Sequence, residues 1–330
     1  MKTAYYYIHG RGRGHASRSQ AIRSALAQAD YRSKLFAGGD AMDLLSGSLV
    51  EPRPPLARGP TSPLKLVARA LQDAAYVQRH RPDLVVSDGD HGAVLGARLA
   101  GVTAIAIGHD IVFDPRVSLP DLPKGALRAQ RLNALPTRAA DHFVGVHFLP
   151  ARSEYPTITL ARPESVAGEV RQDAIDGPIV CYFRDRNGEE LLRALVRTGR
   201  EILLFGPPSP GVPGVLQRPF SRTEFQRALG RCSAVVSSAG SNMLAECVLL
   251  KKPMLAVYRS GDAEQCLNAH LVERASVGMG SPLSNAPALA ETFAQRVAAR
   301  DFAQVDLAQS LPPLSVALER TLRAIATNGS

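Results

Sequence analysis

Tryptophan is absent from this chain of 330 residues, and aromatic residues make up only 5% of it. No stretch interleaves basic with aromatic side chains, which excludes the stacking groove typical of proteins that bind single-stranded nucleic acid. The formal net charge of +9 at pH 7 therefore indicates an anionic partner of another class, such as a nucleotide sugar, an anionic acceptor or a lipid head group. We expect no nucleic-acid partner.

Cysteine is scarce, and long apolar runs are missing. The four cysteines do not have the spacing of a metal site, and three of them, Cys181, Cys232 and Cys247, fall within apolar segments, as reduced core thiols do. The N-terminal segment enters a strand directly, without the apolar region of a signal peptide. No window approaches the length of an apolar membrane span. These absences predict a soluble cytoplasmic protein.

Short apolar runs alternate with helix-length segments along the whole chain, which is the pattern of parallel α/β proteins. At this length we expect two domains of about 150 residues each. We predict a first domain over residues 1–150, a linker over 151–168, a second domain over 169–310, and a final helix over 311–330 that could pack back on the first domain. Two doubly wound α/β domains would then face each other across a cleft, the usual place for a ligand.

The segment from Ala234 to Ala269 reads as a buried strand, a turn of small residues, a helix, a second strand, and a polar loop that opens another helix. Gly240, Ser241 and Asn242 lie where the turn becomes a helix. Unpaired backbone N–H groups and the helix dipole at such a point form a site for a phosphate. Glu246 follows roughly 5–6 Å further along the helix axis, so its carboxylate would lie near the sugar attached to that phosphate.

A glycine-rich turn follows the first predicted strand. Gly10, Gly12 and Gly14 have the spacing G-x-G-x-G, one residue short of the dinucleotide fingerprint. No acidic residue stands at the end of the next strand, where such a site keeps its ribose partner. A nicotinamide-dependent enzyme is therefore disfavoured.

His15 begins the helix after this turn, at the edge of the sheet where open α/β folds bind ligands. A neutral imidazole at that position can act as a general base, although His15 could also simply close the loop. Asp88 ends another predicted strand and could orient His15 by accepting its second ring N–H. The alternative role of Asp88 is to cap the next helix, which Asp90 would do equally well.

Basic residues recur at two further places. Arg184 lies at a strand–helix junction, where it could bind a diphosphate or stay solvated. The segment from Pro120 to Asp141 would form a helix with a basic face. A solvated face is the first interpretation, and a contact with an acceptor or with the inner face of a membrane is the alternative. The basic residues of that segment are Lys124, Arg128, Arg131 and Arg138.

Two motifs resemble those of GT-B fold glycosyltransferases, the group that includes the lipid-II-forming N-acetylglucosaminyltransferase and the plant and antibiotic enzymes that use UDP or TDP sugars. One motif is the N-terminal glycine-rich turn with His15. The other runs from Ser238 through Glu246 and Lys252-Pro253 to the segment Glu264–Ala269, with its pieces in the family's order and at the family's separations. The resemblance therefore extends over both domains and implies two Rossmann-like domains of GT-B type.

The resemblance implies an inverting transfer of a sugar from a nucleotide diphosphate to an acceptor hydroxyl, with the nucleotide sugar as co-substrate and no metal ion or other cofactor. His15 would deprotonate a small-molecule or lipid-linked acceptor bound to the N-terminal domain, and Asp88 would be the partner of His15. The C-terminal domain would bind the diphosphate, the ribose through Glu246, and the sugar. The candidate substrate-binding residues are Gly12, Gly14, Arg184, Phe220, Gly240, Ser241, Asn242, Glu246, Glu264, Gln265 and Asn268.

The chain departs from the family pattern at two points. Ser241 replaces the second glycine that many members have in the phosphate turn, and Glu264-Gln265 stands where antibiotic-type enzymes have His or Asp with Gln. The second departure leaves the donor sugar open. A nucleotide-sugar hydrolase or epimerase on the same fold, and a non-catalytic subunit that binds a nucleotide sugar, are the alternative functions.

Overall fold

Within the part of the chain that the structure describes, seven parallel strands form the first of two large sheets, in the order β3-β2-β1-β4-β5-β7-β9. The computed structural model describes residues 1–10, 15, 18–39, 41–42, 45, 49–54, 62–164, 176–183, 188–206, 211–219 and 221–328. The central strands β4 and β5 are buried along their whole length, as expected for strands covered by helices on both faces. The strands are β1 (Lys2–Ile8), β2 (Tyr31–Ala37), β3 (Val50–Pro52), β4 (Leu84–Asp88), β5 (Ala104–Gly108), β7 (His142–Val146) and β9 (Ile158–Ala161).

The second sheet has six parallel strands in the order β12-β11-β10-β13-β14-β15. Its central strand β13 has the apolar run Ala-Val-Val, which is fully buried, and then turns polar as it reaches its C-terminal end. A separate antiparallel pair joins β6 (Val117–Ser118) to β8 (Arg152–Ser153). The strands of the second sheet are β10 (Ile179–Tyr182), β11 (Ile202–Phe205), β12 (Val215–Arg218), β13 (Ala234–Ser238), β14 (Met254–Tyr258) and β15 (Gly278–Pro282).

Helices connect most of the consecutive parallel strands. The predicted α/β class, with two parallel sheets, is confirmed. No helix within the described ranges has the length and apolar character required to cross a membrane. The helices are α1 (Ser19–Gln28), α2 (Ser62–His80), α3 (His91–Ala100), α4 (Lys124–Asn133), α5 (Glu189–Val196), α6 (Arg222–Arg231), α7 (Ser241–Leu249), α8 (Ala263–Arg274), α9 (Ala286–Ala298), α10 (Leu307–Ser310) and α11 (Leu314–Asn328), with 3-10 turns at Asp110–Phe113 and Leu135–Ala139.

The segment predicted as a linker, residues 151–168, contains a strand of the first sheet. Strand β9 pairs with β7 in parallel, so residues 158–161 of the predicted linker belong to the first sheet. The prolines at 156 and 163 leave only a short segment between them, and the four strand residues Ile-Thr-Leu-Ala are too few to show a strand period. Helix α11 packs against α1 and against β7 and β9. Its Leu314 and Leu318 belong to the same buried apolar cluster as Tyr6 and Ile22.

The two sheets meet through the segments that follow their strands. Helix α8, which follows β14 of the second sheet, packs against α4 on the side of the first sheet. One apolar cluster contains buried residues of both parts, among them Phe113 and Leu267. The C-terminal ends of β4 and β5 in the first sheet, and of β13 in the second, therefore lie on the side where the two parts face each other.

Candidate active site

A buried carboxylate organises the edge of the first sheet. Asp88 is the last residue of β4 and has 0% exposure. Its Oδ1 accepts a hydrogen bond from His15 Nδ1 at 2.7 Å, and its Oδ2 accepts one from Arg18 Nε at 2.8 Å. A second guanidinium nitrogen of Arg18 also contacts Oδ1. One carboxylate thus orients both an imidazole and a guanidinium.

The charge of Asp88 follows from its neighbours. Burial disfavours the ionised carboxyl, but the positive charge of Arg18 and the contact with His15 outweigh burial and lower the pKa of Asp88 to about 2. An ionised Asp88 accepts a hydrogen bond from the N–H at His15 Nδ1. The lone pair of Nε2 is then available to take a proton from another group. The His15 side chain is 26% exposed, so a substrate can reach it.

The backbone around His15 leaves room for its ring. Gly89 has φ of +75°, a conformation that other residues rarely adopt. A Cβ at Gly89 would lie 2.8 Å from His15 Cε1, so a larger residue would displace the ring. The ring of His9 packs edge-on against His15, with the ring centroids 5.3 Å apart. These contacts limit the orientations that His15 can take.

The two roles considered for Asp88 are divided between neighbouring residues. Asp90 precedes α3 and accepts the Ala93 N–H at 3.1 Å, which caps the helix. Arg53 also donates from Nε to Asp90 at 2.7 Å. Because Asp90 caps the helix, the side chain of Asp88 is available to hold His15 and Arg18.

A second imidazole–carboxylate pair lies at the same sheet edge. His91 Nε2 is 3.9 Å from Asp110 Oδ2, and Thr137 Oγ1 donates to the same oxygen at 2.9 Å. Burial lowers the pKa of His91, but the charge of nearby Asp110 outweighs burial and raises the pKa above its ordinary value. Asp110 also acts electrostatically on Arg18. The pair therefore lies, like Asp88, at the C-terminal edge of the first sheet.

At the edge of the second sheet, backbone N–H groups are the candidate ligand-binding groups. Strand β13 ends at Ser238, and α7 starts after Gly240, which is extended with φ of −77° and ψ of 131°. No side chain in the described part of the chain caps the first turn of α7. By contrast, Asp262 caps the nearby α8 by accepting the Gln265 N–H at 3.1 Å. The first N–H groups of α7 and its dipole can therefore bind an anion. We call residues 239–242 the α7 turn.

Glu246 lies one turn into α7 and is half-buried. Burial raises the pKa of its carboxyl to about 7, although the charge of Arg222 opposes the shift. The carboxyl therefore exchanges its proton near neutral pH. A ligand that donates hydrogen bonds to Glu246, as a pair of hydroxyls does, would favour the ionised form.

Helix α8 carries three of the predicted sugar-binding residues, and Asn268 among them contacts the α7 turn. Glu264 and Gln265 are half-buried near its start. Asn268 is fully buried, and its amide has hydrogen-bond partners at both ends. Its Nδ2 donates to the Ala239 carbonyl at 2.9 Å, and its Oδ1 lies 2.7 Å from His109 Nε2. In this arrangement Asn268 joins protein groups on both sides, and its contact with a sugar stays a prediction.

Four predicted substrate-binding residues lie outside the described residues: Gly12, Gly14, Arg184 and Phe220. The residue roles that the sequence did not indicate are those of Arg18, His109 and the His91–Asp110 pair. Arg18 had a detectable signal, because residues three apart lie on the same face of a helix, and Arg18 is three residues after His15. The partners of His109 lie far away in sequence and gave no signal.

A family model described as glycosyl transferase family 1 matches residues 64–298. The chain belongs to this glycosyltransferase family. The "UDP-N-acetylglucosamine--N-acetylmuramyl-(pentapeptide) pyrophosphoryl-undecaprenol N-acetylglucosamine transferase 3" of Bacillus cereus is 25% identical over 232 residues, which are 64% of this chain and 64% of that protein. A second such transferase, from Bacillus thuringiensis, matches with the same identity and coverage. The chain thus spans 64% of the length of these curated relatives.

Solved structures of glycosyltransferases share the fold. MurG of Acinetobacter baumannii has a TM-score of 0.64 at 15% identity, over 99% of this chain and 100% of that chain. The Streptomyces glycosyltransferase SsfS6, complexed with thymidine diphosphate, has a TM-score of 0.59 at 16% identity, over 99% and 100%. A putative UDP-N-acetylglucosamine 2-epimerase from Listeria monocytogenes has a TM-score of 0.69 at 13% identity, over 99% and 96%. The predicted GT-B type fold is confirmed.

Proposed function

We propose that this family member transfers a sugar from a nucleotide-diphosphate donor to an acceptor hydroxyl, with inversion at the anomeric carbon. The observation that carries the proposal is the His15–Asp88 hydrogen bond of 2.7 Å in the first part, on the side that faces the α7 turn. An oriented imidazole and a binding site for a leaving diphosphate are the two components that such a displacement requires.

The donor would bind to the second part of the molecule. The first N–H groups of α7, at Ser241 and Asn242, would receive the diphosphate, and Gly240 would allow its close approach. Glu246 would accept hydrogen bonds from the ribose hydroxyls. Glu264 and Gln265, half-buried on α8, would bind the sugar. A UDP or TDP sugar is the proposed donor, in agreement with the names of the Bacillus relatives and the nucleotide bound to SsfS6.

The proposed reaction is a single displacement. His15 Nε2 takes the proton of the acceptor hydroxyl as its oxygen forms a bond to the anomeric carbon. The bond from that carbon to the diphosphate oxygen breaks, and its electron pair leaves with the nucleotide diphosphate. Attack from the face opposite the leaving group inverts the anomeric centre. The helix dipole and the N–H groups of α7 would stabilise the leaving charge, and we propose that this needs no metal ion.

A lipid-linked acceptor and a peripheral contact with the cytoplasmic face of a membrane are also proposed. The acceptor given in the names of the Bacillus relatives is a pyrophosphoryl-undecaprenol, which is a lipid-linked molecule. On this chain, α4 exposes Lys124 and Arg128. Leu132 and Leu135 beside them are 62% and 53% exposed. Cations together with exposed leucines are typical of surfaces that rest on anionic lipid.

A binding and turnover experiment tests the proposal. Thermal unfolding is measured with UDP, TDP and GDP, since a ligand that binds only the folded chain adds roughly 2.7 kcal/mol of stability at a hundred times its dissociation constant. UDP and TDP sugars are then incubated with and without a panel of hydroxyl acceptors, including polyprenyl-diphosphate sugars, and the anomeric configuration of any product is read by NMR.

The outcomes separate the candidate functions. Acceptor-dependent release of UDP or TDP, with an inverted linkage in the product, supports the proposal. Fast release of nucleotide without an acceptor, together with free or C2-epimerised sugar, would identify a hydrolase or epimerase instead. Binding of a nucleotide sugar without turnover under any condition would identify a binding subunit.

A further inference from the structure

A buried hydrogen bond joins the two parts of the molecule directly beside the α7 turn. His109 follows β5 of the first sheet and is 6% exposed. Its Nδ1 lies 2.9 Å from the Val146 carbonyl oxygen, which places the ring at the end of β7. Its Nε2 lies 2.7 Å from Oδ1 of Asn268, which belongs to α8 of the second part.

The orientation of the Asn268 amide is fixed by its other end. Nδ2 of Asn268 lies 2.9 Å from the Ala239 carbonyl oxygen, and this oxygen can only accept. The amide oxygen must therefore face Nε2 of His109. Both ring nitrogens of His109 then face acceptor oxygens, so the ring makes both hydrogen bonds only when both nitrogens carry a proton. The path from β7 through His109 and Asn268 to Ala239 is continuous and consists entirely of hydrogen bonds.

The last bond of this path acts on the α7 turn itself. The Ala239 carbonyl and the Gly240 N–H belong to one planar peptide unit. Asn268 holds the carbonyl end, and the Ser238 carbonyl accepts the N–H end at 2.7 Å. With this plane fixed, the N–H groups of Ser241 and Asn242 that follow it have a defined direction.

The apolar surroundings of His109 mean that loss of its hydrogen bond to Asn268 should be destabilising. The ring packs against Phe113 and Phe148, with centroid distances of 5.2 and 5.6 Å. His147 lies beside it, with the ring centroids 5.4 Å apart. Water has little access to such a site, so a partner removed by mutation is not replaced by solvent.

We propose that His109 and Asn268 are positioning residues, through which the acceptor domain sets the direction of the N–H groups of the α7 turn. The role in donor binding rests on the proposed function, whereas the mechanical link between His109 and the turn does not. If this proposal holds, a substitution of His109 in the first part weakens binding of the nucleotide to the second part. A residue with a merely structural role would lower stability and leave nucleotide affinity unchanged.

The test uses His109→Ala, the milder His109→Gln, and Asn268→Asp. Asn268→Asp keeps an acceptor for His109 but loses the donor to the Ala239 carbonyl, so it separates the two halves of the path. The matched control is His142→Gln, which changes a half-buried histidine at the start of β7, the other end of the same sheet. Hydrogen exchange of peptides covering residues 237–244 is measured without ligand. UDP and TDP affinities are measured by calorimetry on the same folded samples.

We expect exchange in the α7 turn to be at least about fivefold faster in His109→Ala and Asn268→Asp than in the wild type and the control. Nucleotide affinity should fall about tenfold in both variants, and less in His109→Gln, which can still donate to Asn268. Wild-type exchange in His109→Ala and His109→Gln would overturn the link. Faster exchange with unchanged nucleotide affinity would overturn the positioning role. If the wild type binds no nucleotide, the proposed function fails, and the exchange experiment still decides the link.

Discussion

At the edge of the first sheet, a buried carboxylate holds an imidazole and a guanidinium through side-chain hydrogen bonds. At the edge of the second sheet, α7 starts after a glycine, and no described side chain caps it. The two edges suit different chemistry. Proton transfer needs a titratable group in a fixed orientation. Binding a diphosphate needs N–H groups whose number and dipole do not change with pH. Side-chain mutations should therefore abolish turnover at the first edge, whereas at the second edge only a backbone change removes a group proposed to contact the diphosphate.

The largest effect is expected for His15→Ala. Removing the imidazole should lower turnover at least ~10²-fold, because the acceptor hydroxyl loses its base, while affinity for the nucleotide changes little. Steady-state kinetics and calorimetry with UDP or TDP measure the two quantities separately. The control is His80→Ala, which removes an exposed histidine on α2. Turnover close to wild type in His15→Ala would contradict the role of this residue.

Asp88→Asn should affect both turnover and stability. The neutral amide no longer fixes the His15 tautomer, so we expect turnover to fall about tenfold or more. It also leaves the buried Arg18 without a counter-charge, which should cost roughly 3 kcal/mol of unfolding free energy. Since the folded pKa of Asp88, about 2, lies below its unfolded value, its stabilisation is present above about pH 4 and lost as the pH falls to about 2.

Urea unfolding of the wild type and Asp88→Asn, followed from neutral to acid pH, measures this stabilisation. The free-energy difference between the two proteins should shrink as the pH falls through that window. A difference that stays constant with pH would show that the Asp88 charge does not stabilise the fold in this way.

At the second edge, Ser241→Pro removes one backbone donor. Proline is tolerated in the first position of a helix, and Gly240 already has the extended conformation that a following proline requires. We expect the dissociation constant for UDP or TDP to rise about tenfold, with little change in unfolding temperature. Ser241→Ala keeps the N–H and should bind within about twofold of wild type. Equal affinity of the proline variant and the wild type would exclude this N–H as a phosphate ligand.

A smaller effect is expected from the charge of Glu246. Its pKa of about 7 means that the carboxyl is protonated below neutral pH, whereas ribose hydroxyls donate best to the ionised form. Nucleotide affinity should therefore rise severalfold between about pH 6 and about pH 8. Glu246→Gln should remove this dependence. Calorimetry at a series of pH values gives the result, and the same slope in both proteins would contradict a contact between Glu246 and the ribose.

The smallest effect is expected at the surface, for the pair Leu132→Ser and Leu135→Ser. Loss of two exposed leucines should weaken binding to anionic vesicles severalfold, while nucleotide affinity and unfolding temperature stay the same. Sedimentation with vesicles containing phosphatidylglycerol, compared with vesicles of phosphatidylcholine, measures the change. Leu99→Ser, at another exposed leucine, is the matched control. Unchanged sedimentation would show that this surface does not contact the membrane.

The sequence contains most of the information needed to predict the fold. Buried parallel strands such as β4 and β13 are uninterrupted apolar runs, and the turn residues after them are small or polar. The pairing of His15 with Asp88 was accessible because His15 follows β1 and Asp88 ends β4, and these are neighbouring strands of one parallel sheet. Strand β9 was missed because its four residues are too few to show a period.

Asn268 and Arg18 show what one sequence does not contain. The polar residues of α8 look alike in the sequence, and only the approach of His109 from the other part buries Asn268 while Glu264 and Gln265 stay half-buried. Arg18 is buried because Asp88, 70 residues further along the chain, neutralises it. Both outcomes depend on charges and hydrogen bonds made between distant segments, which periodicity and residue type do not specify.

A crystal structure of the protein with UDP tests the central claim most directly. We expect the diphosphate at the start of α7, with phosphate oxygens about 2.7–3.2 Å from the N–H groups of Ser241 and Asn242, and the ribose beside Glu246. The reacting end of the ligand should point towards His15. A diphosphate bound instead at the glycine-rich turn after β1, with the α7 turn empty, would contradict the account.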